Sequence, residues 1–251
     1  MTDATTRFGG FAQEYDRVRP RPPAELVPLL TQWSGAAEPD VVDLGAGTGL
    51  STVLWPDAVG VEPDAGMRVV AAARGVRVVE GTAEATGLPD ACADIVTAGQ
   101  ALHWFDPSRT FPEIARILRP GGVFAAFDCD WPPAVDPECD AAYRSVEDHY
   151  RVLEVRHHVR PAYADKPDHL ARLRDSGLFR HVTEVALHAR DTGDSTRFVD
   201  ILRSQGGVVA LLDRGVSEDE IGLTRLREVA QRRIPHARTW WWTYRVRLAV
   251  V

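Results

Sequence analysis

Thiols are scarce in these 251 residues: Cys92, Cys129 and Cys139 are the only three. Their odd number and spacing fit neither a disulfide framework nor a structural metal site. Such usage is expected of a reducing compartment, the cytoplasm. No His-Glu-x-x-His run or comparable acidic cluster occurs, so no metal is expected. No apolar run approaches the length of about 18 residues that a membrane-spanning helix needs, and Met1 is not followed by a basic-then-apolar leader. A basic excess is missing as well. The formal net charge is −7, whereas a general nucleic-acid binder is normally basic. Lysine is reduced to Lys166 against 28 arginines, a bias of composition rather than a functional signal. Internal repeats and low-complexity tracts are absent.

What remains is ordinary for a water-soluble globular chain: 45% apolar and 26% charged residues. The length suits one domain, 1–251, with room for an inserted cap. Charge is uneven towards the end, where Gly222 to Val251 holds seven arginines and one acid, Glu228. A solvated helix face with strand ends accounts for it; a pocket for an acidic substrate is the alternative.

The chain is organised around Val41-Val42-Asp43-Leu44-Gly45-Ala46-Gly47-Thr48-Gly49. Two β-branched residues run into an acid, and glycines follow at alternate positions. This reads as a buried strand ending in a tight turn, whose glycines permit positive φ and let a ligand lie on the backbone. The spacing is neither the G-x-G-x-x-G of dinucleotide sites nor a P-loop. Glu62 stands at the end of a second strand, Ala58 to Val61, where a carboxylate can accept hydrogen bonds from both hydroxyls of a ribose.

Asp43-Leu44-Gly45-Ala46-Gly47-Thr48-Gly49 followed by Val59-Gly60-Val61-Glu62-Pro63-Asp64 resembles the first two motifs of class I S-adenosylmethionine-dependent methyltransferases, in the small-molecule branch that includes quinone-biosynthesis and trans-aconitate methyltransferases. The resemblance implies S-adenosylmethionine as cofactor, with Asp43, Gly45, Ala46, Gly47, Glu62, Pro63 and Met67 around it. It extends to Glu80-Gly81-Thr82-Ala83-Glu84, where Thr82, Ala83 and Glu84 are implied near the adenine, Thr82 in place of a more usual Asp. In the family an N-terminal segment folds over the cofactor. Phe8, Ala12, Tyr15, Arg19 and Pro20 fit its pattern, which makes residues 1–23 a lid arm and Tyr15 and Arg19 closers of the methionine end. A mobile arm is the plain alternative. Asp43 and Glu62 are 19 residues apart, about one helical turn, or roughly four residues, shorter than usual, leaving only Leu50 to Trp55 for a helix.

Alternation along the rest of the chain predicts helices at Ala24 to Trp33, from Asp64, and at Pro107 to Leu118, with strands at Val76 to Val79, Asp94 to Ala98 and Val123 to Phe127. Arg119-Pro120-Gly121-Gly122 reads as a sharp helix-to-strand turn. After the fourth strand come Gln100, His103 and Trp104, where ligands sit outside strand carboxyl ends. His103 is a candidate acid/base or substrate contact, and Trp104 a wall against the cofactor or plain core. Residues 130–177 break the alternation as a helical cap insertion, with helices from Glu138 to His157 and Asp168 to Asp175. Its Tyr143 and Tyr150 are candidate substrate-binding residues; a solvated helix is the plain alternative. Val182 to Ala189 reads as a strand, Asp194 to Ser204 as a helix ending at Gly206-Gly207, Ser217 to Arg233 as a capped helix, and Thr239 to Val250 as a half-buried strand whose tryptophans pack.

Alternation alone gives an α/β, mostly parallel sheet. The resemblance makes it a Rossmann-like doubly wound sheet of seven strands with a reversed terminal strand, and implies methyl transfer to oxygen or carbon of a small-molecule acceptor, such as an acidic metabolite or natural-product intermediate. Non-methyl chemistry at the same site, cofactor binding without catalysis, and nucleic-acid methylation stay open as alternatives. The last lacks its Asn/Asp-Pro-Pro-aromatic run, since Gly99-Gln100-Ala101-Leu102 stands there.

Overall fold

The computed structural model describes residues 16–159 and 168–251. Seven strands form one sheet: β1 (Val41–Leu44), β2 (Val59–Val61), β3 (Arg77–Val79), β4 (Ala93–Gly99), β5 (Leu118–Cys129), β6 (His181–Gly193) and β7 (Arg238–Val250). Their order is β3-β2-β1-β4-β5-β7-β6. All pairs are parallel except the two that β7 makes, with β5 and with β6. The chain is therefore a doubly wound α/β sheet with one reversed strand, and β1 beside β4 is where the strand order turns back.

Side chains alternate across the sheet, and each face has its own core. Val41, Ile95, Val123, Ala125 and Phe127 face one side, against Leu26 and Leu30 of helix α1 (Leu26–Ser34). Val42, Leu44, Val96, Phe124 and Ala126 face the other, against Phe111, Ile114 and Ile117 of helix α3 (Pro107–Ile117). Helix α2 (Ala65–Ala73) follows β2, and the Asp64 side chain caps it by accepting from the Met67 N–H at 2.8 Å.

Four local readings differ from the sequence expectation. Residues 50–55 hold only a 3₁₀ turn, Thr52–Leu54, because Pro56 follows so closely. Leu118 already pairs with Ala93, and the register shifts before Val123 pairs with Ile95, so Arg119 to Gly122 bulge out of a strand rather than precede it. Gly206 and Gly207 do not end a helix; they begin one. A Cβ on Gly207 would stand 2.0 Å from Glu154 Oε1 and 3.0 Å from Tyr150 Cε2, so the missing side chain makes room for the Glu154 carboxylate between the two helices. The helix expected to reach Arg233 is interrupted at Gly222.

Residues 130–177 also divide differently from a single cap. Helix α4 (Pro137–Arg156) packs against α7 (Gly206–Asp213), α8 (Glu218–Ile221) and α9 (Leu223–Arg233). Helix α5 (His169–Asp175) instead packs on β6 and β7, with Leu173 buried in the second core. Helix α6 (Ser195–Arg203) joins the first group through α9, so the helical layer is built largely from the connection between β6 and β7. Trp240 and Trp242 are buried on β7 while Trp241 is 54% exposed, the period of two expected of a strand with one covered face.

Candidate active site

One cavity of about 210 Å³ runs along the carboxyl ends of the strands, from the β2 and β3 end to β5 and β7. A single water needs roughly 10–15 Å³ by this kind of measure, so there is room for a small molecule. The turn after β1 forms its floor. The N–H groups of Gly45 and Ala46 both donate to the Val61 carbonyl, at 2.9 and 3.2 Å, which ties the turn to the end of β2. Gly45 has φ +64°, and a Cβ there would lie 2.9 Å from Ala101 Cβ and 3.1 Å from Phe105 Cζ. Gly47 has φ +56°, but its Cβ would meet nothing nearer than the Gly45 carbonyl at 4.0 Å. The first glycine makes room for the loop after β4. The second leaves main chain open to the cavity.

Glu62 faces that open main chain. Its Oε2 accepts from the Gly47 N–H and its Oε1 from the Asp64 N–H, both at 2.9 Å. Burial pushes its carboxyl above the usual range, against the pull of the two N–H groups and Arg68. An ionised carboxylate offers about four lone-pair sites, so two remain on the cavity side. Pro63, Asp64, Met67, Thr82, Ala83 and Glu84 line the same half. Met67 is held there by the cap on α2. Glu84 is fixed by accepting from the Asp106 N–H at 3.0 Å.

Asp43 does not line the cavity. Its Oδ1 accepts from Thr97 Oγ1 at 2.7 Å, and its Oδ2 from Ser51 and Thr52 at 2.7 and 2.6 Å. Burial raises its pKa and the three hydroxyls pull it back. These bonds lock the turn to β4 and to the residues that follow the turn.

Gln100 and Trp104 line the cavity, but His103 is not among the lining residues. The 3₁₀ turn Leu102–Trp104 sends successive side chains in different directions. On β5, Phe127 and Cys129 point into the cavity and Asp128 to the opposite face. His103 falls on that opposite face, with Nδ1 3.9 Å from Asp128 Oδ1. Asp128 also pairs with Arg247 at 2.9 Å. The expectation of His103 as acid/base or substrate contact is corrected accordingly. Tyr143 and Tyr150 are corrected too. Both are buried, and both hydroxyls bind the Gln205 side chain, at 2.7 and 3.1 Å. They belong to the packing of α4 on α6 and α7, because the face of α4 that carries them is its core face. Arg19 does line the cavity, donating to the Ser204 carbonyl at 2.9 Å and lying 5.0 Å over the Trp131 ring. Tyr15 lies outside the described residues.

The sequence reading missed the far wall: Phe105, Phe127, Cys129, Trp131 and Tyr244. Cys129 and Tyr244 are ladder partners across β5 and β7, a contact between residues far apart in the chain. Gln100 lines the cavity in a strained conformation that the sequence does not announce. It has φ +54°, donates its N–H to the Phe127 carbonyl at 2.8 Å, and binds Cys129 Sγ through Nε2 at 2.8 Å. A non-glycine residue held in that conformation beside a cavity is a common mark of a functional site. Among the described residues no group of three or more His, Cys, Asp or Glu could hold a metal ion, and no helix is long and apolar enough to cross a membrane.

The strand order and the glycine turn facing an acid after β2 define a class I methyltransferase fold. Residues 42–126 match the family described as Methyltransferase domain. An uncharacterized methyltransferase of Mycobacterium tuberculosis is 44% identical over 126 residues, 48% of this chain and 51% of that protein. The malonyl-[acyl-carrier protein] O-methyltransferase of Herminiimonas arsenicoxydans is 38% identical over 88 residues, 33% of this chain and 34% of that protein. The chain thus spans about half the length, or less, of these curated relatives. A solved structure from Anaeromyxobacter dehalogenans, assigned as a type II methyltransferase, is 27% identical with a TM-score of 0.66, over 92% of this chain and 97% of that one. Residues 42–126 thus match a methyltransferase domain, and the chain shares the fold of the Anaeromyxobacter dehalogenans structure along most of its length.

Proposed function

We propose that the chain transfers a methyl group from S-adenosylmethionine to oxygen or carbon of a small-molecule acceptor. The observation that carries this is the Glu62 carboxylate bound to the Gly47 N–H, beside main chain on which a side chain is absent and a ligand has space. The residues fit the cofactor. Glu62 has acceptors left for two ribose hydroxyls, Gly45 to Thr48 present backbone, and Met67, Thr82 and Ala83 offer a mixed apolar and polar surface to a purine.

When bound, the cofactor supplies a methyl group made electrophilic by its sulfonium, so the protein's task is chiefly alignment and exclusion of water. Gln100, fixed by its backbone and by Cys129, borders the two halves of the cavity. Trp104, Phe105 and Phe127 shield the middle, and Trp131 and Tyr244 wall the end that would take the acceptor. Aromatic faces also favour a nearby cation. His103 is not assigned as the base, because it is not among the residues that line the cavity. The net charge of −7 and an aromatic-walled cavity favour a small acceptor over nucleic acid, and three cysteines outside any disulfide favour a reducing, cytoplasmic setting. The test is release of S-adenosylhomocysteine with a panel of acids, phenols and keto acids. No cofactor binding by calorimetry would reject the reading.

A further inference from the structure

The sheet ends in a bare edge. β6 stands last in the strand order, and among the described residues only β7 pairs with it. The opposite outer strand, β3, has three residues, whereas β6 has thirteen. Outer strands are normally blunted by proline, lysine, a bulge or shortness, because their outward N–H and C=O groups invite another strand. β6 contains neither proline nor lysine, and its register with β7 runs unbroken from His181 opposite Val250 to Gly193 opposite Arg238.

The side chains of β6 suit a particular partner. In an antiparallel pair, residues directly opposite lie on the same face. A second copy, turned about a two-fold axis through Leu187, brings Glu184 opposite Arg190 of that copy, and by symmetry does so twice. On the other face Leu187 meets Leu187 and Val185 meets Ala189, apolar against apolar. No like charges are opposed between 184 and 190. Moving the axis by one residue loses the match. About Ala186, Glu184 faces His188 and Arg190 faces Val182; about His188, Glu184 faces Thr192 and Arg190 faces Ala186.

The groups are also presented for it. Arg190 is exposed and lies 5.9 Å over the ring of Trp241, itself 54% exposed. Glu184 is paired with Arg247 at 2.8 Å, which fixes its carboxylate on this face and lowers the ordering cost of meeting a guanidinium there. Val185, Leu187 and Ala189 are only partly buried, at the margin of the first core. We propose that β6 is a self-association edge: two copies of the chain pair antiparallel through residues 184–190 about Leu187, joining two seven-stranded sheets into one. β6 does not line the cavity, so the association is independent of what the cavity binds.

Sedimentation velocity of the full chain over a concentration series reads the assembly, and a dimer is expected. Arg190→Glu sets a second carboxylate against Glu184 at both contacts and should weaken the dimer about tenfold or more, whereas Arg190→Lys should keep it within about threefold. Because Arg190 is exposed, both variants should melt as wild type does. Leu187→Cys tests the register. Opposed Cα atoms stand about 4.5–5.5 Å apart, within the span of a disulfide, so mild oxidation should link two chains. Val185→Cys puts its own copies about 13 Å apart along the strands and should link no more than wild type with its three native cysteines. A wild type that stays monomeric at every concentration, an Arg190→Glu dimer as tight as wild type, or a Leu187→Cys chain that links no faster than Val185→Cys would each overturn the proposal.

Discussion

Replacing Glu62 by alanine removes in one step the acceptor of two main-chain N–H groups and the carboxylate that faces the cavity. The two effects differ in size. In the ligand-free protein the Gly47 and Asp64 N–H groups border an open cavity that water can enter, and a carboxyl whose burial raises its pKa is taken away. Loss and gain offset, so we expect the melting temperature to move by only a few degrees, a ΔΔG of about 1 kcal/mol. In the complex, two charge-assisted hydrogen bonds to ribose hydroxyls disappear, at about 1.5–3 kcal/mol each a loss of about 3–6 kcal/mol, or roughly 10²- to 10⁴-fold in Kd. Glu62→Gln should also bind weakly, since an amide can accept from only one of the two N–H groups and turns its own NH₂ toward the other. Calorimetric titration with S-adenosylhomocysteine, with a melting curve for each variant, measures both quantities. A folded Glu62→Ala protein whose Kd stays within about threefold of wild type would remove Glu62 from the site.

His103→Gln should leave turnover within about threefold, because a general acid or base at this position would cost roughly 10²–10⁴-fold; a loss of that size in steady-state kinetics would restore the histidine to the chemistry. Gly207→Ala should destabilise the helical layer by about 1–3 kcal/mol through overpacking against Glu154, and an unchanged urea midpoint would contradict the packing described. Affinity for S-adenosylhomocysteine should fall on acidification at a pH above the ordinary glutamate value of 4.5, since burial raises the Glu62 pKa and protonation takes away an acceptor; Glu62→Ala should lose that dependence in the same titration. Glu113 runs the other way. Arg116 and Thr86 hold its pKa down to about 2, so its contribution to stability is present above 4.5 and is lost as pH falls towards about 2; acid melts of Glu113→Gln should show that slope reduced.

The half of the site built by continuous chain is legible in the amino-acid sequence alone. A β-branched pair, an acid and alternate glycines dictate the strand and turn at 41–49, and Glu62 ends the neighbouring strand, so local geometry brings them together. Met67 is legible through the cap at Asp64. What the sequence does not disclose is which way a residue turns in the folded chain. His103 lies within a few residues of Gln100, but a 3₁₀ turn rotates it to the opposite face of β5, and no periodicity announces that. Tyr143 and Tyr150 sit on a helix whose buried face is decided by α6 and α7, elements remote in sequence. Trp131 and Tyr244 reach the cavity only because β7 pairs with β5. Gly206-Gly207 reads as a terminator, although its lack of side chains answers to Glu154 on another helix.

The reversed strand has a consequence for how the molecule is made. β7 lies between β5 and β6, so β6 has no neighbour to join until β7 has slotted in. During synthesis the first five strands can assemble around the glycine turn while β6 and the helices after it wait, tethered but unplaced. Completion of the cavity wall at Tyr244 therefore waits for β7, and ribosome-stalled chains halted before residue 238 should leave 181–193 open to protease while 41–99 is already shielded.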